Sequence, residues 1–376
     1  MFGISLRKTR LTFIIGVILI VNIFCLLSIS LQNVMTWRYS SSQLYLTAIS
    51  RDESIFNTTL NPAVQLKLQN MKNDLNDSKF TNGDMFPAHR IGGYIMIDPD
   101  LCRSSDVLDI IVVVHTAPAN LARRQRIRDT FGNEANFLPF HVRVAFLLGR
   151  TENRTLERIL WFEHATYNDT VMGDFLDDYH NLSLKGVMGY RWASQYCVNS
   201  KFVLKIDDDV IINMFKLLYS FYSHMNGKRK SIFCNLWYKN TMPILRTGKW
   251  KVEPHVFSKH KTYPYDYCSG FVVIMTTDLM GPMYQAAMTT PFFWIDDVYL
   301  FGMLPNVVGG VTYYNYALDK NMTLKENVAT ECTKTQGPRC PIFASIVNDK
   351  NYTSLWNTIK EIYASSSWHV DNKLVT

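Results

Sequence analysis

Hydrophobic and polar residues follow three successive patterns along the chain. Residues 11–31 are apolar and carry no charge, and as a helix they would be about 31 Å long, which matches the hydrocarbon core of a bilayer. Residues 32–106 are polar with little sustained period, which is typical of a stem or tether. From Val107 onward, short β-branched runs alternate with amphipathic segments. That alternation predicts an α/β domain over residues 107–376, with a sheet of mainly parallel strands.

The apolar runs place the strands and helices of that domain. Strands are predicted at residues 108–115, 142–148 and 202–206, and helices at 121–131, 153–164 and 181–197. The first strand is strongly β-branched, which is typical of a central strand buried on both faces. Because ligands of such sheets bind beyond the carboxyl ends of the strands, Thr116 and residues 207–209 mark the predicted site.

Three consecutive carboxylates, Asp207, Asp208 and Asp209, stand at the end of a buried apolar strand. Such carboxylates repel one another and are costly to remove from water without a partner. A hard divalent cation, Mg²⁺ or Mn²⁺, supplies that partner, together with a phosphate ligand. An acidic turn on a solvated loop is the alternative, and the apolar residues on both sides of the run favour the metal.

The predicted helix after the first strand carries four arginines. Arg124 and Arg128 lie four residues apart on one face of this helix, close to the end of a central strand. Guanidinium groups at that position suit a diphosphate or a nucleotide. A solvated helix face with one or two salt bridges is the alternative explanation.

Charge and processing signals indicate a lumenal domain. The net charge of +7 comes without a dense cluster of Lys and Arg interleaved with aromatics, so nucleic acid is not an expected partner. Three basic residues within 1–10 precede the apolar span, which predicts a cytoplasmic tail and a type II signal anchor at 11–31. A cleaved signal peptide is the alternative. Seven Asn-x-Ser/Thr sequons and six cysteines beyond the span favour an oxidising compartment.

Six motifs in order give the chain a family resemblance. They are RQRIRDTF at 124–131, FLLG at 146–149, DFLDDYHNLSLK at 174–185, KIDDD at 205–209, YPYDYCSG at 263–270 and DDVYLFG at 296–302. In this set and order they resemble glycosyltransferase family 31, the β-1,3-galactosyl- and N-acetylglucosaminyltransferases, with the Fringe enzymes as distant relatives. The resemblance covers residues 107–365. It implies a GT-A-type, Rossmann-like nucleotide-sugar-binding fold and inverting transfer from a UDP-sugar to a glycoprotein or glycolipid in the Golgi membrane.

The resemblance also implies roles for individual residues. Asp297, by its position in the sixth motif, is the predicted base that deprotonates the acceptor hydroxyl. Asp296 replaces the family's Glu and could be a helix N-terminal cap. The predicted metal ligands for Mn²⁺ are Asp207, Asp209 and Asn348, which stands where the family commonly carries a His. The predicted donor contacts are Thr116, Arg124, Arg128, Lys185, Asp207 and Asp208.

The same resemblance guides a disulfide assignment. The predicted pairs are Cys197–Cys268, Cys332–Cys340 and Cys102–Cys234.

Three functions are compatible with these observations. The first is a lumenal, metal-dependent β-1,3-hexosyltransferase that uses a UDP-sugar. The second is a catalytically impaired member of the same family that serves as a glycan-binding or chaperone-like Golgi protein, which the changes at Asp296 and Asn348 motivate. The third, a metal-dependent phosphohydrolase, explains the aspartate run but not the other five motifs.

Overall fold

The computed structural model describes residues 91–103 and 107–364. The predicted tail at 1–10, the predicted anchor at 11–31 and most of the predicted stem lie outside these ranges. Among the described residues, none of the helices combines the length and apolar character needed to cross a bilayer. The membrane anchor therefore stays a prediction.

In the described part of the chain, eight strands form a central sheet and three form a smaller one. In chain order the strands are β1 Tyr94–Met96, β2 Leu108–His115, β3 Val142–Arg150, β4 Thr170–Leu176, β5 Ser200–Asp207, β6 Val210–Ile212, β7 Ser231–Trp237, β8 Tyr267–Thr276, β9 Thr312–Asn315, β10 Met322–Thr323 and β11 Ala344–Ile346.

Helices connect these strands. They are α1 Leu121–Asp129, α2 Arg154–Tyr167, α3 Leu182–Tyr196, α4 (Met214–Lys216, Leu217–Phe221 and Tyr222–Met225), α5 Met280–Thr289, α6 (Asp296–Val298, Tyr299–Met303 and Leu304–Val308), α7 Glu326–Gln336 and α8 Asp349–Ala364. The middle turns of α4 and α6 are π-helical. Short 3₁₀ turns also occur, among them Tyr179–Asn181.

The central sheet has the strand order β1-β4-β3-β2-β5-β8-β7-β9. Strands β4, β3, β2 and β5 run parallel, as predicted, whereas β8 is antiparallel to both β5 and β7, and β1 is antiparallel to β4. All eight residues of β2 are buried, because the strand has neighbours on both edges and helices on both faces. The sheet is therefore mixed, with its parallel strands where the β-branched runs predict them.

Helix α3 covers one face of the parallel strands at close range. A Cβ on Gly189 would lie 2.7 Å from the Leu147 side chain, and one on Gly186 would collide with Leu300. Glycine at these two positions therefore allows the helix backbone to approach the sheet and α6. The opposite face carries the main hydrophobic core, to which α1, α4 and α8 contribute.

The folded unit begins earlier in the chain than predicted. Strand β1 pairs with β4, and Ile91, Met96 and Cys102 are buried. These residues fall in the segment 32–106, which the polar composition assigned to the stem. Described residues between 91 and 103, which precede the predicted boundary at residue 107, therefore belong to the folded unit.

The structure corrects two of the three predicted disulfides. The bridges are Cys102–Cys197, Cys234–Cys268 and Cys332–Cys340. The predicted pair Cys332–Cys340 is confirmed, but the predicted pairs Cys197–Cys268 and Cys102–Cys234 are wrong. The reason is strand pairing: β7 and β8 are antiparallel neighbours, which brings two of these cysteines to a Cα separation of 5.8 Å, within the range a disulfide can span.

Candidate active site

The carboxyl ends of β2 and β5 meet at one edge of the sheet. His115 stands opposite Asp207 in the parallel register, so the residues that follow each strand are neighbours. The Thr116 hydroxyl donates a hydrogen bond of 2.6 Å to the Asp208 carboxylate. The structure thus brings Thr116 and the aspartate run together where the strand prediction placed them.

Asp208 faces the protein interior. Its carboxylate accepts hydrogen bonds from Thr116, from the Asn120 amide at 2.8 Å and from the Arg123 guanidinium at 2.8 Å. The side chain is only 7% exposed. These contacts fasten the start of α1 to the end of β5 and hold the Asp208 side chain inward, so its predicted donor contact stays a prediction.

Asp207 and Asp209 remain available at the edge of the sheet. The Asp207 side chain is 40% exposed and accepts one hydrogen bond, from Lys205 Nζ at 2.6 Å. Asp209 is half-buried, and its backbone carbonyl accepts a hydrogen bond of 2.9 Å from the Val347 amide. The Asp207 and Asp209 carboxylates, on either side of the inward-pointing Asp208, can therefore contact the same ligand.

These two carboxylates fit a metal that a substrate helps to hold. Among the described residues, no three Asp, Glu, His or Cys side chains are grouped closely enough to bind a metal by themselves. A closed protein cage is therefore not present in this part of the chain. Mg²⁺ and similar ions, however, are commonly bound by one or two carboxylates together with substrate phosphates and water, and Asp207 with Asp209 meets that requirement.

Asn348 lies beside the aspartate run but acts as a helix cap. Its side-chain oxygen accepts a hydrogen bond of 3.0 Å from the Lys350 amide in the first turn of α8. The preceding residue, Val347, is the one that contacts the Asp209 backbone. Asn348 as a metal ligand stays a prediction, and its oxygen would have to serve the cap and the metal together.

Lys205 connects the aspartate run to a second carboxylate. Its ammonium group is buried and donates to Asp207 and to the Gly270 carbonyl at 2.5 Å. Burial alone would lower the pKa of Lys205, but the carboxylates of Asp207, Asp296 and Asp297 raise it above its usual value. Sequence reasoning missed this residue as a site residue, although a lone lysine inside an otherwise apolar strand was the available signal.

Asp297 is the second carboxylate, in the first turn of α6. The Gly270 amide donates a hydrogen bond to it, and a Cβ on Gly270 would collide with the Asp297 carboxylate. Only glycine at position 270 allows this approach. Removal from water and the adjacent Asp296 raise the pKa of Asp297 to about 8, although Lys205 and the Gly270 amide act in the opposite direction.

Asp296 has the role of a helix N-terminal acid. Its carboxylate accepts hydrogen bonds from its own amide and from that of Asp297, while burial raises its pKa. Contacts of this kind stabilise the first turn of a helix. The two adjacent carboxylates therefore differ: Asp296 supports the helix, and Asp297 is directed to Gly270 and Lys205.

Arg124 and Arg128 lie in the interior and not at the edge of the sheet. Arg124 has no exposed surface and donates to Glu163 at 2.7 and 2.9 Å and to the Ala117 carbonyl at 2.8 Å. Arg128 is paired with Asp169 at 2.7 and 2.9 Å and with Glu163 at 2.8 Å. Burial alone would raise the pKa of Glu163, but the two arginines hold it below its usual value. The predicted donor contacts of both arginines stay predictions, and in this structure both guanidinium groups have acidic partners within the protein.

Lys185 is likewise committed to the protein. Its buried ammonium group donates to the Thr116 carbonyl at 2.6 Å and pairs with Asp177 at 2.9 Å. It therefore supports the turn after β2 at the edge of the sheet, and its predicted donor contact stays a prediction.

Arg123 and Arg126 are the arginines nearest the aspartate run. Arg123 bridges Asp208 and Asp349 at 2.8 and 3.0 Å, and Arg126 donates to Asp349 at 2.8 Å while stacking on Tyr352. The helical period indicates which arginines point inward: position 124 shares a helix face with Ile127 and Phe131, which are both fully buried. An arginine on that face points inward, and its neighbours at 123 and 126 point to the site.

Comparisons with known proteins agree with the motifs. A family model described as "Galactosyltransferase" matches residues 122–315. Beta-1,3-galactosyltransferase 1 of Homo sapiens is 30% identical over 208 residues, which is 55% of this chain and 63% of that protein, and the Mus musculus protein gives the same values. Lactosylceramide 1,3-N-acetyl-beta-D-glucosaminyltransferase of Homo sapiens is 31% identical over 247 residues, 62% of this chain and 64% of that protein. The chain thus spans less than two thirds of the length of these curated relatives.

Proposed function

Because the chain belongs to the galactosyltransferase family, we propose that it transfers a hexose from a UDP-sugar to a hydroxyl group of an acceptor glycan. The expected product is a β-1,3 linkage formed with inversion at the sugar carbon. The observation that carries the proposal is the pair of chemically different carboxylate sites joined by Lys205: the exposed Asp207 on one side and the Gly270-bound Asp297 on the other.

The donor is expected at the aspartate edge. Asp207 and Asp209 would hold a divalent cation such as Mn²⁺, which when bound neutralises the charge that develops on the departing UDP. Lys205 orients the Asp207 carboxylate through a 2.6 Å hydrogen bond. Thr116, Asn120 and Arg123 keep Asp208 turned inward, and this fixes the backbone that presents its two neighbours.

Asp297 is the proposed general base. It takes the proton of the acceptor hydroxyl while the acceptor oxygen bonds to the sugar carbon and the bond to the UDP oxygen breaks. The raised pKa of about 8 makes the ionised carboxylate a stronger proton acceptor than an ordinary aspartate. A single displacement of this kind inverts the configuration of the sugar carbon.

The compartment is proposed from the chemistry of the chain. Three disulfides within the described residues require an oxidising environment during folding. Together with the sequons and the apolar span at 11–31, they support a type II Golgi membrane protein whose catalytic domain is lumenal. Acceptors are then expected on glycoproteins or glycolipids that pass through this compartment.

A second candidate is a catalytically impaired glycan-binding or chaperone-like protein. The observation that favours it concerns Asn348, which stands where the family commonly has a His. Its side-chain oxygen accepts a hydrogen bond from the Lys350 amide in the first turn of α8. In that case the fold would bind glycans or nucleotide sugars without transfer.

The experiment that separates the two uses the full chain in detergent with Mn²⁺, three UDP-hexoses (galactose, N-acetylglucosamine and N-acetylgalactosamine) and a panel of acceptor disaccharides. The product linkage is read by NMR. Asp297→Asn should lower the rate about 10²–10⁴-fold and leave UDP binding intact. Asp319→Asn, at an exposed aspartate, is the matched control. Transfer that survives Asp297→Asn rules out this base, and UDP binding without any transfer by the wild-type chain favours the second candidate.

A further inference from the structure

Four aromatic rings from three separate segments meet on the surface. Tyr179 and His180 belong to the turn that follows β4, Trp250 to the connection between β7 and β8, and Trp294 to the segment before α6. The His180 and Trp294 ring centroids are 4.5 Å apart, and those of Tyr179 and Trp294 are 6.3 Å apart. We call these four residues the aromatic platform.

The aromatic platform is not an extension of the hydrophobic core. Trp250 is 50% exposed and Tyr179 39%, and the His180 side chain is 65% exposed. Phe293, directly before Trp294, is buried, whereas Trp294 itself is half-buried. Contiguous exposed rings of this kind on a folded domain usually mark a binding surface.

Polar contacts hold the rings in place while leaving them accessible. The Trp250 indole N–H donates to the Tyr179 hydroxyl at 2.9 Å. Asp178 accepts from the His180 amide at 2.8 Å and lies 3.2 Å from its ring Nδ1. The Lys249 ammonium lies 4.3 Å from the centroid of the Tyr179 ring. Because the rings are ordered before any ligand arrives, binding costs less conformational entropy.

Trp294 of the aromatic platform belongs to the segment that carries the proposed base, Asp297. Trp294 lies three residues before Asp297, with only Ile295 and Asp296 between them. The Ser183 hydroxyl donates to the Phe293 carbonyl at 2.7 Å, which ties this segment to α3. A ligand resting on Trp294 is therefore next to the start of α6.

The turn with Tyr179 and His180 is connected to the end of β2 through Asp177 and Lys185. Asp177 precedes the Tyr179 turn by two residues and pairs with Lys185 at 2.9 Å. Lys185 in turn donates to the Thr116 carbonyl at 2.6 Å. The turn that presents Tyr179 and His180 is thus fixed at the same edge of the sheet as the aspartate run.

We propose that the aromatic platform binds a hexopyranose ring of the acceptor glycan and places its hydroxyl beside Asp297. The C–H groups on one face of a pyranose form an apolar, weakly positive surface that complements the negative face of an aromatic ring. The metal and the donor's diphosphate are proposed at Asp207 and Asp209, so we assign the sugar that stacks on Trp294 to the acceptor. The proposal rests on the proposed function for the role of Asp297, but the stacking itself does not require transfer.

The test measures glycan binding and kinetics on the full chain in detergent. The probes are neutral disaccharides ending in galactose, N-acetylglucosamine or N-acetylgalactosamine, observed by saturation-transfer NMR and used as acceptors. Trp294→Ala and Trp250→Ala should raise the acceptor KM about tenfold, equivalent to about 1.4 kcal/mol, and abolish saturation transfer to the ring protons. The donor KM should stay unchanged, and Trp294→Phe should recover most of the acceptor affinity.

Phe162→Ala is the matched control, because Phe162 is 75% exposed on α2 and outside the aromatic platform. Circular dichroism establishes that each variant is folded. An unchanged acceptor KM in folded Trp294→Ala, a rise in donor KM instead, or no glycan binding by the wild-type chain overturns the proposal. Wild-type glycan binding that depends on Trp294 without any transfer supports the aromatic platform and refutes the proposed function, so the two failures are distinguishable.

Discussion

The middle aspartate of the run at 207–209 is predicted to stabilise the fold, and Asp208→Ala tests this. The substitution removes the acceptor of three hydrogen bonds, donated by Thr116, Asn120 and Arg123 at 2.6–2.8 Å. It leaves the Thr116 and Asn120 donors without their partner in a site where Asp208 is 7% exposed. The start of α1 loses its attachment to the end of β5.

The magnitude follows from these contacts. A hydrogen bond to an ionised group contributes about 1.5–3 kcal/mol, and removal of one partner from a buried ion pair costs about 3–5 kcal/mol. Arg123 is 30% exposed and keeps its contact with Asp349, so solvent screening places the loss at the lower end. We expect the free energy of unfolding to fall by about 3 kcal/mol, and Tm by about 6–12 °C for a domain of this size.

The assay is equilibrium unfolding in urea, followed by tryptophan fluorescence, with Mn²⁺-dependent UDP binding measured in parallel. Asp209→Ala is the control, because none of the described residues donates a hydrogen bond to the Asp209 carboxylate. It should change the unfolding free energy by less than about 0.5 kcal/mol and abolish metal-dependent UDP binding. The reasoning is refuted if Asp208→Ala unfolds at the wild-type urea concentration or if the two variants lose equal stability.

Two further predictions concern pH and the disulfides. Burial and Asp296 raise the pKa of Asp297 to about 8, so a base at this position is protonated below that pH. The acceptor kcat/KM should therefore fall as the pH decreases through about 8, and a profile that is flat between about pH 6 and about pH 9 would contradict this assignment. Replacing both cysteines of the bridge that spans 95 residues should cost about 5 kcal/mol of stability, against about 2.5 kcal/mol for the bridge that spans 8. Thermal unfolding of the two double-serine variants measures the difference, and equal losses would show that chain entropy does not dominate.

The strands around the site were predictable because their sequence pattern is local. Residues 108–115, 142–148 and 202–206 are apolar runs that pass through the centre of a parallel sheet, and they became β2, β3 and β5. Strands at the periphery carry weaker signals, since they are short or partly exposed. The antiparallel direction of β8 depends on where the chain re-enters the sheet, and no local pattern in the sequence specifies this.

The arginine helix shows why the site was only partly predictable. The positive charge of this helix indicated an anionic ligand. Arg124 and Arg128 instead form ion pairs within the protein, with Glu163 and Asp169, which lie 35 to 41 residues away in the sequence. Composition identifies a charged helix but does not say whether the opposite charge is supplied by the fold or by a ligand. The apolar neighbours Ile127 and Phe131 on the same face were the one local indication.

The sequence by itself determined the aspartate run at the end of a buried strand, the family of the chain and the acidic pair at 296–297, because each is a contiguous motif with its own chemistry. Only the tertiary structure decided which of these carboxylates are bound within the protein and which face the site. Asp208 turns inward because Thr116 and Arg123 are packed beside it, and Asp297 is separated from Asp296 because the Gly270 backbone reaches it. The aromatic platform likewise arises from three segments distant in sequence. Such contacts follow from how the sheet and helices pack, which no motif encodes.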